Sequence, residues 1–335
     1  MLTTRHRRRL RILTYNILLG GEGREERIAR VLERAGADVI ALQEVTNVAA
    51  VRRLASRLGM RILIGKPSDT SKLNVALLSR RRVLRWHNYQ HPRRMLRGHL
   101  ECEIETGSPV MPRLRIHCLH LAARFFERAN GEARRMREMR SVLHDIHRLT
   151  QTPHVIIGDF NALAPDDTVA AIRFFKRMAE LRRAGLVVRG ADGSMGPVQR
   201  RGRSDRALEH GWLAAGIDPH LDVGVPRLPS IVGPATAVIP RLPVTDRVLG
   251  ALLARWSVQH LLDLGYTDCY RRMHKRDHGY TVATWMPAAR VDYVFADAAV
   301  APRLQGCDVI GSHAFSDPDV ATASDHYPVV ADFNL

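Results

Sequence analysis

Cysteine is scarce in this chain: Cys102, Cys118, Cys269 and Cys307 are the only four in 335 residues, widely spaced and without a C-x-x-C pair. That excludes a zinc ribbon and a disulfide framework and leaves reduced core thiols. Aromatic residues are few, at 6%. No segment repeats at a fixed period, which excludes a solenoid. No apolar run approaches the ~20 residues a membrane-crossing helix needs, so only peripheral contact with a lipid surface stays open. Acidic residues are in deficit, 34 against 51 Lys and Arg, for a formal charge of +17 and a pI near 10.8. This balance favours a polyanionic partner such as nucleic acid or anionic lipid headgroups, although an Arg-rich composition spread along the whole chain gives the same sum. No apolar leader opens the sequence, and a cytoplasmic location is expected.

What is present is enough apolar content, 45%, for a large core. Residues 10–18 alternate as a strand, 25–35 carry Ile28, Val31, Leu32 and Ala35 at helical spacing before Gly36, 38–42 form a buried strand, and a helix follows to Gly59. The opening therefore reads βαβα. Strands are predicted over 61–64, 73–78, 83–87, 99–104, 114–121 and 154–157, with a helix over 132–149. A second helix is predicted over 245–264, and closing strands over 281–285, 291–296 and 327–333. Residues 1–10 form a basic tail, and 11–335 one domain carrying a Gly/Pro/Arg-rich insertion at about 185–243, in which Arg200, Arg201, Arg203 and Arg206 cluster.

Five short segments place polar residues at the ends of strand-like runs: TYN with Asn16, LQE with Glu44, GDFN with Asp159 and Asn161, R-x-DY with Asp292, and SDHYP with Asp325 and His326. Gathering that many carboxylates requires a cation to neutralise them, and oxygen ligands select Mg²⁺ or Mn²⁺. Glu44 sits where a hard-cation ligand is presented. In GDFN, Asp159 and Asn161 share one side of a strand under period-two geometry, a base beside an amide that steadies oxyanion charge. Asp325 and His326, adjacent at the start of a strand, face opposite partners; Asp292 is placed to orient His326 and keep it protonated. His120 supplies a further phosphate donor. Each fragment alone has a plainer explanation, as a helix cap, an Asx turn or a core histidine. His6, His87, His91, His144, His147 and His274 are expected on the surface.

Together, from about Arg11 to Leu335, these segments resemble the endonuclease/exonuclease/phosphatase superfamily of DNase I-like metal-dependent phosphoesterases. The resemblance implies an α+β, four-layer αββα sandwich. It implies Glu44 as the principal Mg²⁺ ligand, assisted by Asn16 and Asp325, and Asp159 as the group that activates water. Asn161 would hold the phosphate, His326 with Asp292 would stabilise the pentacovalent phosphorus, and His120 would contact a non-bridging oxygen. Leu18, two residues after Asn16, stands where the abasic-site branch carries Asp, and His120 where it carries Tyr. The chain is thus closer to the DNase I, sphingomyelinase and deadenylase branches. The leading expectation is a nuclease acting on DNA or RNA. Its rivals are a phospholipid or sphingomyelin phosphodiesterase using Phe125, Phe126 and Trp285, a small-molecule phosphatase, and a catalytically inactive nucleic-acid-binding protein; no protein partner is indicated.

Overall fold

The computed structural model describes residues 9–123, 129–148, 152–170, 172–173, 176, 187–189, 195–197, 246, 253–284, 286–311, 317 and 319–335. The first half of the chain runs β1 (Arg9–Asn16), α1 (Glu25–Ala35), β2 (Val39–Val45), α2 (Val48–Arg57), β3 (Arg61–Gly65), β4 (Asn74–Ser79), β5 (Val83–Tyr89), β6 (His99–Glu105) and β7 (Arg113–His120). Next come α3 (Ala129–Arg148), β8 (His154–Asp159), β9 (Val187–Arg189) and β10 (Met195–Pro197). The chain closes with α4 (Trp256–Asp263), β11 (Thr267–Asp268), α5 (Cys269–Met273), β12 (Asp292–Ala296), β13 (Leu304–Val309), α6 (Val320–Ala323) and β14 (Val329–Asn334).

Two six-stranded mixed sheets result, in the orders β13-β14-β1-β2-β4-β3 and β11-β12-β8-β7-β6-β5. Strand alternation decides what lies between them. Leu10, Ile12, Val39, Ala41 and Leu77 of the first sheet meet Leu100, Ile116, Val155, Ile157 and Val294 of the second in one buried cluster. The opposite faces carry the other parity. Leu13, Ile40 and Leu42 pack under Ile28 and Leu32 of α1 and Val51 of α2. Leu119, Ile156 and Phe295 pack under Met139 and Leu143 of α3 and Val258 of α4. The layers are therefore α, β, β and α, as expected. Gly36 ends α1 in the left-handed conformation, φ 60°, its N–H returned to the Leu32 carbonyl at 3.2 Å.

Several expectations need correction. The helix expected over 245–264 does not run unbroken: 253–255 are not helical and α4 starts at Trp256. The break is held by Arg255, whose Nη1 donates to the carbonyls of Ala164, Pro165 and Asp167, each at 2.6 Å. The strand expected over 281–285 reduces to isolated bridges from Val282 to Ala289 and to His326. The closing strand starts at Val329 rather than residue 327, so the SDHYP segment precedes it. The basic tail is shorter than expected, because Arg9 already belongs to β1, and Arg9 and Arg11 both pair with Asp332 of β14, at 3.2 and 2.8 Å. His91 is not a free surface residue: its Nε2 lies 2.7 Å from Asp145. His274 is likewise engaged, with Asp308 at 2.9 Å. His6, Phe125, Phe126, Trp285, the arginine cluster at 200–206 and, apart from β9 and β10, nearly all of the 185–243 insertion lie outside the described residues. The four cysteines are free and buried.

Candidate active site

The parity that builds the inter-sheet core also builds the site. Asn16, His120 and Asp159 close β1, β7 and β8, and Asp292 opens β12, each at an inward-facing position of its strand. In register, His120 stands opposite Asp159, and Asp159 opposite Asp292. Four polar groups thus meet at one end of the apolar sandwich, all buried. Glu44 would face outward by strict alternation. A register shift between Leu42 and Val45, with Glu44 at φ 61°, turns its carboxylate into the cleft instead.

Asn16 Nδ2 donates to Glu44 Oε1 at 3.2 Å and to Asp159 Oδ2 at 3.0 Å, joining the two carboxylates through one amide. The next residues coil left-handed, with Leu18 at φ 44° and Leu19 at φ 47°. That turn aims two backbone donors back at the site: Leu18 N–H to Asn16 Oδ1 and Leu19 N–H to Glu44 Oε2, both 3.0 Å. Sequence reading had no signal for them.

Asp159 is held from several sides. Asn161 N–H donates to its Oδ1 at 2.8 Å and Asn161 Nδ2 to its Oδ2 at 3.2 Å, while the same amide donates to the Leu121 carbonyl at 3.0 Å. Asp159 and Asn161 do converge, though through a turn, with Asn161 at φ 48°, rather than through strand alternation. Gly158 is required here, since a Cβ would lie 2.0 Å from the Leu119 carbonyl oxygen.

Asp325 and His326 do not splay to opposite faces, because the segment carrying them precedes β14. His326 Nε2 lies 4.0 Å from Asp325 Oδ1 and 4.0 Å from Asp159 Oδ2, and its Nδ1 is 2.8 Å from Asp292 Oδ2. His120 Nε2 completes the ring, 3.7 Å from Asp159 Oδ2 and 4.0 Å from Glu44 Oε1. Ser324 Oγ ties this segment to the end of β1 through the Asn16 carbonyl at 2.7 Å. Thr281 Oγ1 accepts from Asp292 N–H at 3.2 Å. Asn16, Glu44, His120, Asp159, Asn161, Asp292, Asp325 and His326 are thus brought together at one end of the cleft.

Burial and mutual repulsion set the charges. Burial, then the neighbouring Asp292, pushes Asp159 up to about 7. Burial raises Asp325 to about 6, with Glu44 adding to the rise against His326. For Glu44, burial also opposes ionisation, but His120, the Leu19 N–H, His326 and Asn16 outweigh it and lower its pKa. Burial takes His120 down to about 4, so it is neutral. Burial opposes the charge of His326 as well, yet Asp292 and Asp325 beside it raise its pKa well above the usual value.

Sequence reading missed what holds the site from behind. Arg290, buried, donates to Asp167 at 2.9 Å and to Asp268 at 2.6 Å. Tyr293 Oη joins the same group through Asp167 at 3.1 Å and accepts from Ala164 N–H at 2.9 Å. The network anchors the loop after Asn161 to the start of β12. The R-x-DY spacing named Arg290, but nothing local marks Asp167 and Asp268 as its partners.

The cation question turns on the donor set. Glu44, Asp325 and Asn16 offer hard oxygen atoms, and no Lys or Arg forms an ion pair with Glu44, Asp159, Asp292 or Asp325 among the described residues. Burial raises Asp159 and Asp325, His326 is the protonated partner these carboxylates share among the described residues, and a divalent ion would relieve the negative charge that remains, so the residues fit one. Asp159, Asp292 and His326 also bring ligand-type atoms within 4.8 Å of one another. His326 Nδ1 and Asp292 are already joined, which makes that trio the poorer cage.

Sheets stacked face to face between helical layers, with an acid- and histidine-lined cleft at one end, define a DNase I-like sandwich. The sequence profile of the Endonuclease/Exonuclease/phosphatase family matches residues 13–326, and the chain belongs to that family. Solved structures share the fold. An AP endonuclease from Archaeoglobus fulgidus is 14% identical, with a TM-score of 0.57 over 97% of this chain and 100% of its own. The 3'-5' exonuclease NExo from Neisseria meningitidis is 18% identical, with a TM-score of 0.55 and the same coverages, 97% and 100%. A humanised TDP2 from D. rerio is 16% identical, with a TM-score of 0.55 over 98% of this chain and 99% of its own. No curated protein matches the sequence.

Proposed function

We propose that this protein is a phosphodiesterase dependent on Mg²⁺ or Mn²⁺ that hydrolyses nucleic acid by direct attack of water on phosphorus. The observation that carries the reading is the convergence of Asn16, Glu44, Asp159, Asp292 and His326 at one end of the inter-sheet cleft. Glu44 and Asp325, with Asn16, would hold the cation, which when bound neutralises the carboxylates and polarises a phosphate oxygen. Asp159, oriented by both asparagines, takes the proton of the attacking water. His326, kept protonated by Asp292, donates to the charge that develops on phosphorus oxygens. His120, neutral, offers one N–H to a non-bridging oxygen. Asn161 has both amide hydrogens engaged, so a phosphate oxygen binds it by replacing one of those partners.

The net charge of +17 supports a polyanionic nucleic acid over a small phosphomonoester, and one structural relative, a 3' phosphatase NExo from Neisseria, is bound to a product DNA hairpin. The aromatic residues of the lipid alternative fall outside the described residues, and no described feature favours a lipid. The test is hydrolysis of single- and double-stranded DNA and RNA with Mg²⁺, Mn²⁺ or EDTA. Cleavage that EDTA abolishes is expected. Asp159→Asn should lower kcat by about 10³-fold with substrate binding retained, and Glu44→Ala should raise the metal concentration needed for half-maximal rate. Normal turnover by both variants overturns the assignment.

A further inference from the structure

A buried arginine that the proposed chemistry leaves unused adjoins two of the segments carrying cation ligands. Arg24 immediately precedes α1 and is 3% exposed. Its backbone is fixed, because its N–H donates to the Gly21 carbonyl at 2.8 Å and its carbonyl accepts from Ile28 N–H at 3.0 Å. Ile28, Val31 and Leu32 bury α1 in the core outside the first sheet, so the side chain is carried by a rigid element. Its guanidinium reaches two carbonyls from opposite ends of the chain: Nη2 donates to Leu18 at 2.7 Å, and Nη1 to Ala323, the last residue of α6, at 2.5 Å.

Both carbonyls belong to segments that deliver ligands. Leu18 and Leu19 hold φ of 44° and 47°, a conformation that a residue with a Cβ rarely adopts and that its surroundings must impose. In that conformation Leu18 N–H meets Asn16 Oδ1 and Leu19 N–H meets Glu44 Oε2, each at 3.0 Å. Gly20 continues the turn at φ 75° against the residues that follow Glu44, where a Cβ would overlap Thr46 Oγ1 and Asn47 N. On the other side, Ser324 follows Ala323, donates through Oγ to the Asn16 carbonyl at 2.7 Å, and leads into Asp325. Asn16, Leu18, Arg24, Ala323 and Ser324 thus close a ring of hydrogen bonds, with Glu44 attached to it through Leu19 and through Asn16 Nδ2 at 3.2 Å.

We propose that Arg24 is a positioning residue for the cation site: by joining the Leu18 and Ala323 carbonyls it sets the spacing of Asn16, Glu44 and Asp325. This role deepens the phosphodiesterase reading and rests on its choice of ligands. A planar guanidinium fork fixes the distance between its two acceptors, which a single ammonium nitrogen does not. The charge of Arg24 works the other way, since a buried cation opposes the binding of a second one nearby. Position and charge therefore predict opposite outcomes when the guanidinium is removed.

The test is Mn²⁺ binding by the full chain without substrate, read from the electron paramagnetic resonance signal of the free ion. Arg24→Met and Arg24→Lys are both expected to weaken Mn²⁺ affinity by about tenfold, the size usual for a group that orients a metal ligand. The same loss should appear in the Mg²⁺ concentration needed for half-maximal hydrolysis more than in kcat at saturating Mg²⁺. Arg24→Lys carries the test alone if Arg24→Met fails to fold. With Leu19→Gly, which relieves the strain at one position of the turn, Arg24→Lys is expected to cost distinctly less affinity. Met139→Ala, on the buried face of α3, is the control for lost stability: its urea midpoint should fall and its Mn²⁺ affinity should not. Wild-type affinity in Arg24→Lys, or tighter binding by Arg24→Met, overturns the positioning role. Equal losses from Arg24→Lys with and without Leu19→Gly also overturn it, as does a weakened affinity in Met139→Ala that matches its lost stability. Hydrolysis of nucleic acid or bis(p-nitrophenyl) phosphate by the wild-type chain separates the two readings. Hydrolysis together with Arg24-independent Mn²⁺ affinity removes the role of Arg24 alone. Mn²⁺ binding that needs both Glu44 and Arg24, with no phosphodiester hydrolysed, removes the phosphodiesterase reading alone.

Discussion

His326 and Asp292 show how one contact fixes a charge state at the residue scale. Their 2.8 Å hydrogen bond, with Asp325 nearby, holds the imidazole protonated against its own burial. A histidine with a raised pKa keeps its proton at low pH and loses it as pH climbs through the raised value. Asp292→Asn removes the main raising influence, so the alkaline limb of the kcat profile should move down by about one pH unit or more, with a rate loss of roughly 10²-fold. Rate profiles of the two proteins side by side check this; an alkaline limb that stays put refutes the role. Asp159, the base of the proposed reaction, is expected to set the opposite limb. Pushed up to about 7, it is a base only once pH exceeds that value, and saturating Mg²⁺ should carry the acid limb to lower pH by favouring the carboxylate. Gly158→Ala forces a methyl group against the Leu119 carbonyl at a φ of 142° and should cost about 3 kcal/mol or more in urea unfolding.

Between elements, the joints are ion pairs of unequal worth. Arg290 clamps β12 to Asp167 and Asp268 with little water in reach, and Arg290→Met strands two buried carboxylates, an expected loss of about 3 to 5 kcal/mol in denaturant unfolding. Arg11 and Asp332 tie β1 to β14 in a half-buried setting. Burial alone would raise Asp332, but Arg11 and then Arg9 more than compensate and its pKa is lowered. A lowered carboxylate stabilises the fold above its unfolded pKa and ceases to do so as pH falls. Asp332→Asn should therefore cost about 1 kcal/mol at pH 7, a cost that shrinks as pH drops below the ordinary carboxylate range and is gone once Asp332 is protonated in the folded protein. Elements of this kind also mark what was legible in the sequence. The first four elements and the strands contributing Asn16, His120, Asp159 and Asp292 were readable, because alternation and helical spacing encode burial directly. The outward-to-inward turn of Glu44 was not, since a bulge depends on how β2 pairs with β4. The helix over 245–264 failed for a similar reason: three carbonyls recruited by Arg255 come from about 90 residues upstream.

For the molecule as a whole, the cation and the fold should be linked thermodynamically. A ligand that binds only the folded state at 100 times its Kd stabilises it by about 2.7 kcal/mol, so Mg²⁺ should raise the melting temperature of the wild-type protein and leave that of Glu44→Ala unmoved. Equal shifts in both would place the ion elsewhere. The cleft draws its polar groups from both ends of the chain: Asn16 closes the first strand, while Asp325 and His326 precede the last, and Ser324 pins that final segment to the Asn16 carbonyl. A polypeptide still emerging from a ribosome has the early half of this machinery and none of the late half. The cleft therefore cannot assemble until His326 has joined Asp159 and Asp292.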